Sequence, residues 1–103
     1  MNIMLTCSAG MSTSLLVEKM KKCAAEQGKD YKIWAVDQST IAKEMDKCDV
    51  ILIGPQVRHI LKKVQAMVGD KNIPVDVIKM TDYGRIDGEA VLKHAEVLYE
   101  GRK

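Results

Sequence analysis

Four short apolar stretches alternate along the chain with longer segments of helical periodicity. The stretches at residues 2–6, 31–36, 50–53 and 75–78 are rich in aliphatic and β-branched side chains, which favours strands. Between them, apolar residues recur at intervals of three and four, which predicts amphipathic helices. The stripes are Leu16, Met20, Cys23, Ala24 and Gln27; Ile41, Ala42 and Met45; Val57, Ile60, Leu61, Val64, Met67 and Val68; and Val91, Ala95 and Leu98.

Turn residues mark the ends of these elements. Gly28 and Gly69 follow the first and third helical segments, at positions typical of a helix C-terminus. Ser39 or Thr40 is expected to cap the short second helix. Residues 50–53 show no polar alternation, which predicts a strand buried on both faces. Charged residues in and around 31–36, and Pro74 before 75–78, predict that these two strands lie at the edges of the sheet. Residues 80–88 are predicted to form a loop.

The element order βαβαβαβα predicts an α/β fold in which helices cover an open four-stranded parallel sheet. Right-handed crossovers and a first strand in the interior favour the strand order 2-1-3-4. All 103 residues are expected to form one domain, 1–103. Ligand sites in such sheets lie beyond the carboxyl ends of the strands. Cys7 follows the first strand, and the loops 37–40, 54–59 and 80–88 are expected at the same edge.

The segment between the first strand and the first helix carries the chemistry of the chain. It reads Cys7-Ser8-Ala9-Gly10-Met11-Ser12-Thr13-Ser14. Backbone N–H groups and a helix N-terminus at this point would bind an anion and lower the pKa of Cys7 below its ordinary value of about 8.5. The segment holds no lysine or arginine, so backbone groups and hydroxyls would supply the donors.

Composition excludes several classes of protein. A net charge of +2 and four aromatic residues give no case for nucleic acid or an anionic membrane surface. No apolar run approaches the roughly 20 residues of a transmembrane helix, and no signal peptide is recognisable. Three cysteines without a Cys-x-x-Cys pair argue for a reducing compartment and against a disulfide scaffold, a zinc site or a thioredoxin-type centre. We therefore expect a cytoplasmic protein without metal or cofactor.

Residues 2–17, together with Gly54-Pro55-Gln56, Tyr83-Gly84 and Asp87-Gly88, resemble the lactose/cellobiose-type IIB components of the bacterial phosphoenolpyruvate-dependent sugar phosphotransferase system. The resemblance extends over essentially the whole chain. It implies that a phosphohistidine on a IIA protein phosphorylates Cys7, with residues 8–14 as the phosphate loop. The group then passes to a sugar, of the cellobiose class, imported by a membrane IIC permease. The resemblance thus implies a protein held at the inner face of the membrane through IIC.

Two other functions remain open at this stage. Small cysteine-dependent hydrolases, the low-molecular-weight tyrosine phosphatases, have a similar fold and a Cys-x5-Arg-Ser/Thr signature. This chain has Thr13 at the arginine position, which removes a charged clamp on the phosphoryl group and favours a carrier. Restoring that arginine is expected to tighten phosphate binding. The other alternative is a non-catalytic regulatory domain of the same fold, although no output domain accompanies it.

The remaining candidate residues have weaker assignments. Gln56, Tyr83 and Asp87 are candidates for the rim of the site. Cys23 and Cys48 are expected to be structural and to react slowly. His59 and His94 are expected at the surface, and the pair Arg58-His59 matches no known motif. The identity of the sugar and the oligomeric state do not follow from the sequence.

Overall fold

The strands form one parallel sheet. The computed structural model describes residues 1–6 and 11–101, with the backbone alone at Met11 and Ser12. Strands β1 (Asn2–Thr6), β2 (Lys32–Val36), β3 (Val50–Ile53) and β4 (Val75–Val77) are arranged in the order β2-β1-β3-β4. The predicted α/β fold and strand order are confirmed.

The two central strands form the middle of the core. Ile3, Met4 and Leu5 of β1 and all of β3 are inaccessible to solvent. Because side chains alternate along a strand, Ile3 and Leu5 face one side of the sheet and Met4 faces the other. Both faces must therefore be covered by helices, which explains the continuous apolar sequence of β3.

Helices α1 (Met11–Glu26) and α5 (Gly88–Glu100) cover one face of the sheet. The other face is covered by α2 (Ile41–Glu44) and α3 (Leu61–Val68), with 3₁₀ turns at Gln38–Thr40, Met45–Lys47 and Pro55–Ile60. A further short helix, α4 (Met80–Gly84), precedes α5.

The structure corrects three local predictions in whole or in part. Residues 55–68 form a 3₁₀ segment followed by α3, because the backbone leaves helical geometry at Val57 (φ −121°, ψ 28°). The predicted loop 80–88 contains α4. No side chain of Ser39 or Thr40 caps a helix; instead, both hydroxyls donate to the Asp37 carboxylate at 2.6 and 2.9 Å, which lowers the pKa of Asp37.

Three strands end together at one edge of the sheet. The N–H of Gly54, just after β3, donates to the carbonyl of Thr6 at 2.8 Å. The N–H of Ile78, just after β4, donates to the carbonyl of Ile53 at 2.8 Å. We call this the carboxyl edge. The segments that follow β1, β3 and β4 therefore start side by side.

A polar cluster fastens α5 to the start of β2. Glu96 of α5 accepts hydrogen bonds from the Lys29 ammonium and from the Tyr31 hydroxyl, the latter at 2.7 Å. Burial alone would raise the pKa of Glu96, but these two hydrogen bonds outweigh it and hold the pKa below its ordinary value. Glu96 is therefore stabilised in its charged form.

This cluster predicts a pH dependence of stability. Because the folded-state pKa of Glu96 lies below its unfolded value of about 4.3, its contribution is complete above that pH and is lost as the pH falls through the folded value. Glu96→Gln should lower the free energy of unfolding by about 1 kcal/mol at pH 7. Denaturant titrations at pH 7 and pH 3 should show this difference shrinking at pH 3. Glu26→Gln, at an exposed position of α1, serves as the control. A destabilisation by Glu96→Gln that is equal at pH 7 and pH 3 would contradict this role of the Glu96 carboxylate.

Candidate functional site

The chain around Cys7 links the middle of the sheet to the start of α1. β1 ends at Thr6, which is fully buried and pairs with Val36 and Ile53 on its two sides. α1 begins at Met11. Cys7, Ser8, Ala9 and Gly10 lie outside the described residues. In the sequence, Cys7 directly follows Thr6, which ends a central strand at the carboxyl edge, and it precedes the start of α1 by four positions.

The N-terminus of α1 is suited to an anion. The helix has 16 residues, and its first turn contains no acidic side chain. The first backbone N–H groups of a helix lack partners within the helix, and its dipole gives this end a partial positive charge. A phosphoryl group on the preceding segment would be stabilised by both effects.

Thr13 and Tyr83 join the first turn of α1 to α4. The Thr13 hydroxyl lies 3.2 Å from the Tyr83 hydroxyl, within hydrogen-bond distance, and the two side chains are only 1% and 7% exposed. Seventy positions separate these residues in the sequence. Of the candidate rim residues, Tyr83 is therefore the one whose contact with residues 8–14 the structure describes.

The burial of Thr13 adds a packing cost to an arginine at this position. A guanidinium in place of the small hydroxyl would displace Tyr83 or be buried without a partner, and an uncompensated buried charge costs several kcal/mol. Thr13→Arg is therefore expected to disrupt the first turn of α1 rather than to complete a phosphate clamp.

The Thr13–Tyr83 contact predicts a measurable coupling. Tyr83→Phe and Thr13→Val should each destabilise the fold, since each leaves a buried hydroxyl without this partner. In a double-mutant cycle, the two changes together should cost about 1 kcal/mol less than the sum of the single changes. Thermal or denaturant unfolding of the four proteins measures this. Strict additivity of the two changes in the free energy of unfolding would show that the Thr13–Tyr83 contact contributes nothing to stability.

Gln56 and Asp87, the other two candidate rim residues, lie in different parts of the molecule. Gln56 is exposed on the 3₁₀ segment that starts beside Thr6, and so lies near the carboxyl edge. Asp87 caps α5, accepting a hydrogen bond from the Ala90 N–H at 3.1 Å. The next residue, Gly88, packs against Lys19 and Met20 of α1. Those residues lie about 9–10 Å along α1 from Thr13, so Asp87 is not brought to the first turn.

The two described cysteines differ in accessibility. Cys48 is 5% exposed, and burial, followed by the nearby Asp49 carboxylate, raises the pKa of its thiol to about 12. Cys23 is half-buried and lines a groove of about 440 Å³ between α1 and the start of α5. The burial of Cys48 therefore supports the expectation of a slow, structural thiol, whereas Cys23 packs against the core but is partly accessible from this groove.

Alkylation should separate the cysteines into three classes. Cys48 should stay unmodified in the native protein at pH 8, because it is buried and protonated. Cys23 should react at the rate of an accessible thiol. Cys7, if activated as expected, should react fastest below pH 7, and phosphate should slow it. Peptide mapping of iodoacetamide-treated protein measures the three rates; rapid modification of Cys48 without unfolding would contradict the structure.

The part of the chain that the structure describes contains neither a candidate metal site nor a candidate membrane-spanning helix. Across residues 1–6 and 11–101, no three His, Cys, Asp or Glu side chains cluster in a way that could hold a metal ion. The helices of these ranges also lack the length and apolarity needed to cross a bilayer.

Comparisons with known proteins converge on one family. The family model "PTS system, Lactose/Cellobiose specific IIB subunit" matches residues 2–94. The chain is 48% identical to the galactose-specific EIIB component of Lactococcus lactis subsp. cremoris and 48% identical to the cellobiose-specific EIIB component of Lactococcus lactis subsp. lactis. Each alignment covers 93% of this chain and 94% of the relative. The solution structure of a cellobiose-specific IIB protein from Borrelia burgdorferi is similar at 36% identity and a TM-score of 0.83, over 100% of this chain and 94% of the other.

Proposed function

This chain belongs to the lactose/cellobiose-specific IIB subunits of the sugar phosphotransferase system, and we propose that it carries a phosphoryl group on Cys7 between a IIA donor and an imported sugar. Members of this family are phosphotransferases. The observation that carries the proposal is the position of Cys7 between the buried end of β1 and the acid-free N-terminus of α1.

The reaction has two in-line displacements. The Cys7 thiolate attacks the phosphorus of the donor phosphohistidine, an S–P bond forms, and the N–P bond breaks with its electrons going to the imidazole. A sugar hydroxyl then attacks the phosphocysteine, and the S–P bond breaks with its electrons returning to the thiolate. The hydroxyl proton is released in this second step.

Residues 8–14 hold the dianionic phosphocysteine through backbone N–H groups and the dipole of α1. Thr13 stabilises the start of α1, because its contact with Tyr83 holds the first turn of this helix against α4. Gln56 at the carboxyl edge contributes to the rim, whereas Asp87 acts at a distance by capping α5. A loop without a buried cation suits a carrier, whose phosphocysteine must persist until the acceptor arrives.

The sugar is of the cellobiose class, a β-linked disaccharide. Relatives of equal similarity are named for cellobiose and for galactose, so the choice among sugars lies with the membrane partner. We place the protein in the cytoplasm, at the inner face of the membrane through a IIC permease. Both encounters, with IIA and with IIC, use the surface around Cys7 in turn and are therefore transient.

The decisive experiment separates carrier from hydrolase. Purified protein is phosphorylated with phosphoenolpyruvate, the general phosphotransferase proteins and a matching IIA, and the donor is then removed. A carrier retains its phosphoryl group until IIC-containing membranes and sugar are added, and then forms sugar phosphate. Rapid release of inorganic phosphate without sugar would instead establish the hydrolase.

A further inference from the structure

One segment of the chain carries basic side chains and no acidic ones. Residues 50–69 contain no aspartate or glutamate, but they include Arg58, His59, Lys62 and Lys63. These four residues belong to the 3₁₀ segment Pro55–Ile60 and the first turn of α3. We call them the basic face.

The packing of this segment turns the basic face toward solvent. Val57, Ile60 and Val64 are 1–5% exposed and pack against the sheet. The four basic residues between them are all exposed. The apolar residues therefore fix the segment on the core, and the charged ones stand on its outer side.

The basic face begins at the carboxyl edge. Gly54 is hydrogen-bonded to Thr6, the residue that precedes Cys7, and the 3₁₀ segment starts at the next residue. Arg58 follows Gly54 by four residues, so their Cα atoms lie at most about 14 Å apart even for a fully extended chain. A protein that brings a phosphoryl group to Cys7 must approach this edge, and Arg58 is the basic residue of the segment that follows Gly54 most closely in sequence.

The charges of the basic face have no counter-ions within the described residues. Lys29, Lys47 and Lys71 each form an ion pair with a carboxylate. Arg58, Lys62 and Lys63 form none there. The positive charge is therefore available to a partner.

We infer that the basic face is the docking surface for the phosphorylated IIA donor, through the negative charge of the donor's phosphoryl group. This inference rests on the proposed function. The phosphoryl dianion adds negative charge to the donor only before transfer. After transfer that charge resides on Cys7, the attraction to the donor weakens, and the unphosphorylated donor is released.

Charges at the rim of an interface act mainly on the rate of encounter and on its dependence on salt. The variant Arg58→Gln/Lys62→Gln/Lys63→Gln should therefore lower kcat/KM for phosphorylated IIA by roughly tenfold at low salt and flatten its salt dependence. The same variant, once phosphorylated, should pass its group to sugar through IIC at the wild-type rate.

The matched control is Lys21→Gln/Lys22→Gln/Lys93→Gln. It removes the same charge from exposed positions on α1 and α5, which cover the opposite face of the sheet. The control should retain wild-type kcat/KM in the donor step. Circular dichroism and thermal unfolding confirm that both variants are folded.

Each other outcome overturns the inference. Equal losses in the two variants would mean that only net charge matters, and an unchanged donor step would mean that the basic face takes no part. A loss confined to the sugar step would assign the face to IIC, and a loss that appears only with anionic membranes present would assign it to lipid. Failure of the wild-type protein to accept a phosphoryl group from IIA would instead overturn the proposed function itself.

Discussion

Cys7→Ser is expected to reduce phosphoryl transfer from IIA to sugar by roughly 10³-fold or more while leaving the fold intact. Serine is nearly isosteric with cysteine, but its hydroxyl does not ionise near pH 7, and removing a nucleophile has effects of this order. Because β1 and α1 pack through Ile3, Leu5, Leu16 and Met20, the change should leave the core untouched. Sugar phosphate formation in the reconstituted system measures the loss.

The matched control for this variant is Cys23→Ser. Cys23 is accessible, as a reactive thiol must be, but it lies on the second half of α1 beside the start of α5. Its replacement should leave the rate of sugar phosphorylation unchanged. Residual transfer in Cys7→Ser close to the wild-type rate would remove Cys7 from the mechanism.

Gly88→Ala is expected to destabilise the protein by about 2–3 kcal/mol. A Cβ atom at Gly88 would lie 2.7 Å from the backbone carbon of Lys19 and 2.8 Å from the nitrogen of Met20. Backbone atoms of α1 cannot move aside as the tip of a side chain can, so α5 must shift. Denaturant unfolding measures the change.

Gly84→Ala, at the end of α4, is the variant with which Gly88→Ala is compared. A Cβ atom there meets nothing within 4 Å, and its backbone does not require glycine. The substitution should be neutral or stabilise the protein by up to about 1 kcal/mol, since alanine favours helix more than glycine does. Equal destabilisation by the two substitutions would contradict the close approach of α5 to α1 at Gly88.

The architecture was predictable because the strands have distinct sequences. β3 is apolar at every position, as expected of a strand buried on both faces. Lys32 in β2 favours a position at the edge of the sheet. These two features, with right-handed crossovers, are enough to favour the order 2-1-3-4. Since Cys7 follows β1 in the sequence, the same order predicts it at the carboxyl edge.

The contacts that support the site were not predictable. Thr13 reads in sequence as a helix-capping or phosphate-binding hydroxyl, and only the fold brings Tyr83 onto it from 70 positions away. The break at Val57 and the five-residue helix α4 are too short to leave a periodic pattern. Gly88 looks like a turn glycine, whereas its role is to let two helix backbones approach closely.

The central claim is that the phosphoryl group resides on Cys7, and mass spectrometry tests it most directly. The protein is incubated with phosphoenolpyruvate, the general phosphotransferase proteins and IIA, and its intact mass and phosphorylated peptide are determined at neutral pH. We predict one phosphoryl group per chain, on Cys7, that disappears when IIC and sugar are added. A phosphoryl group mapped to Cys23, Cys48, His59 or His94, or none at all, would contradict the account.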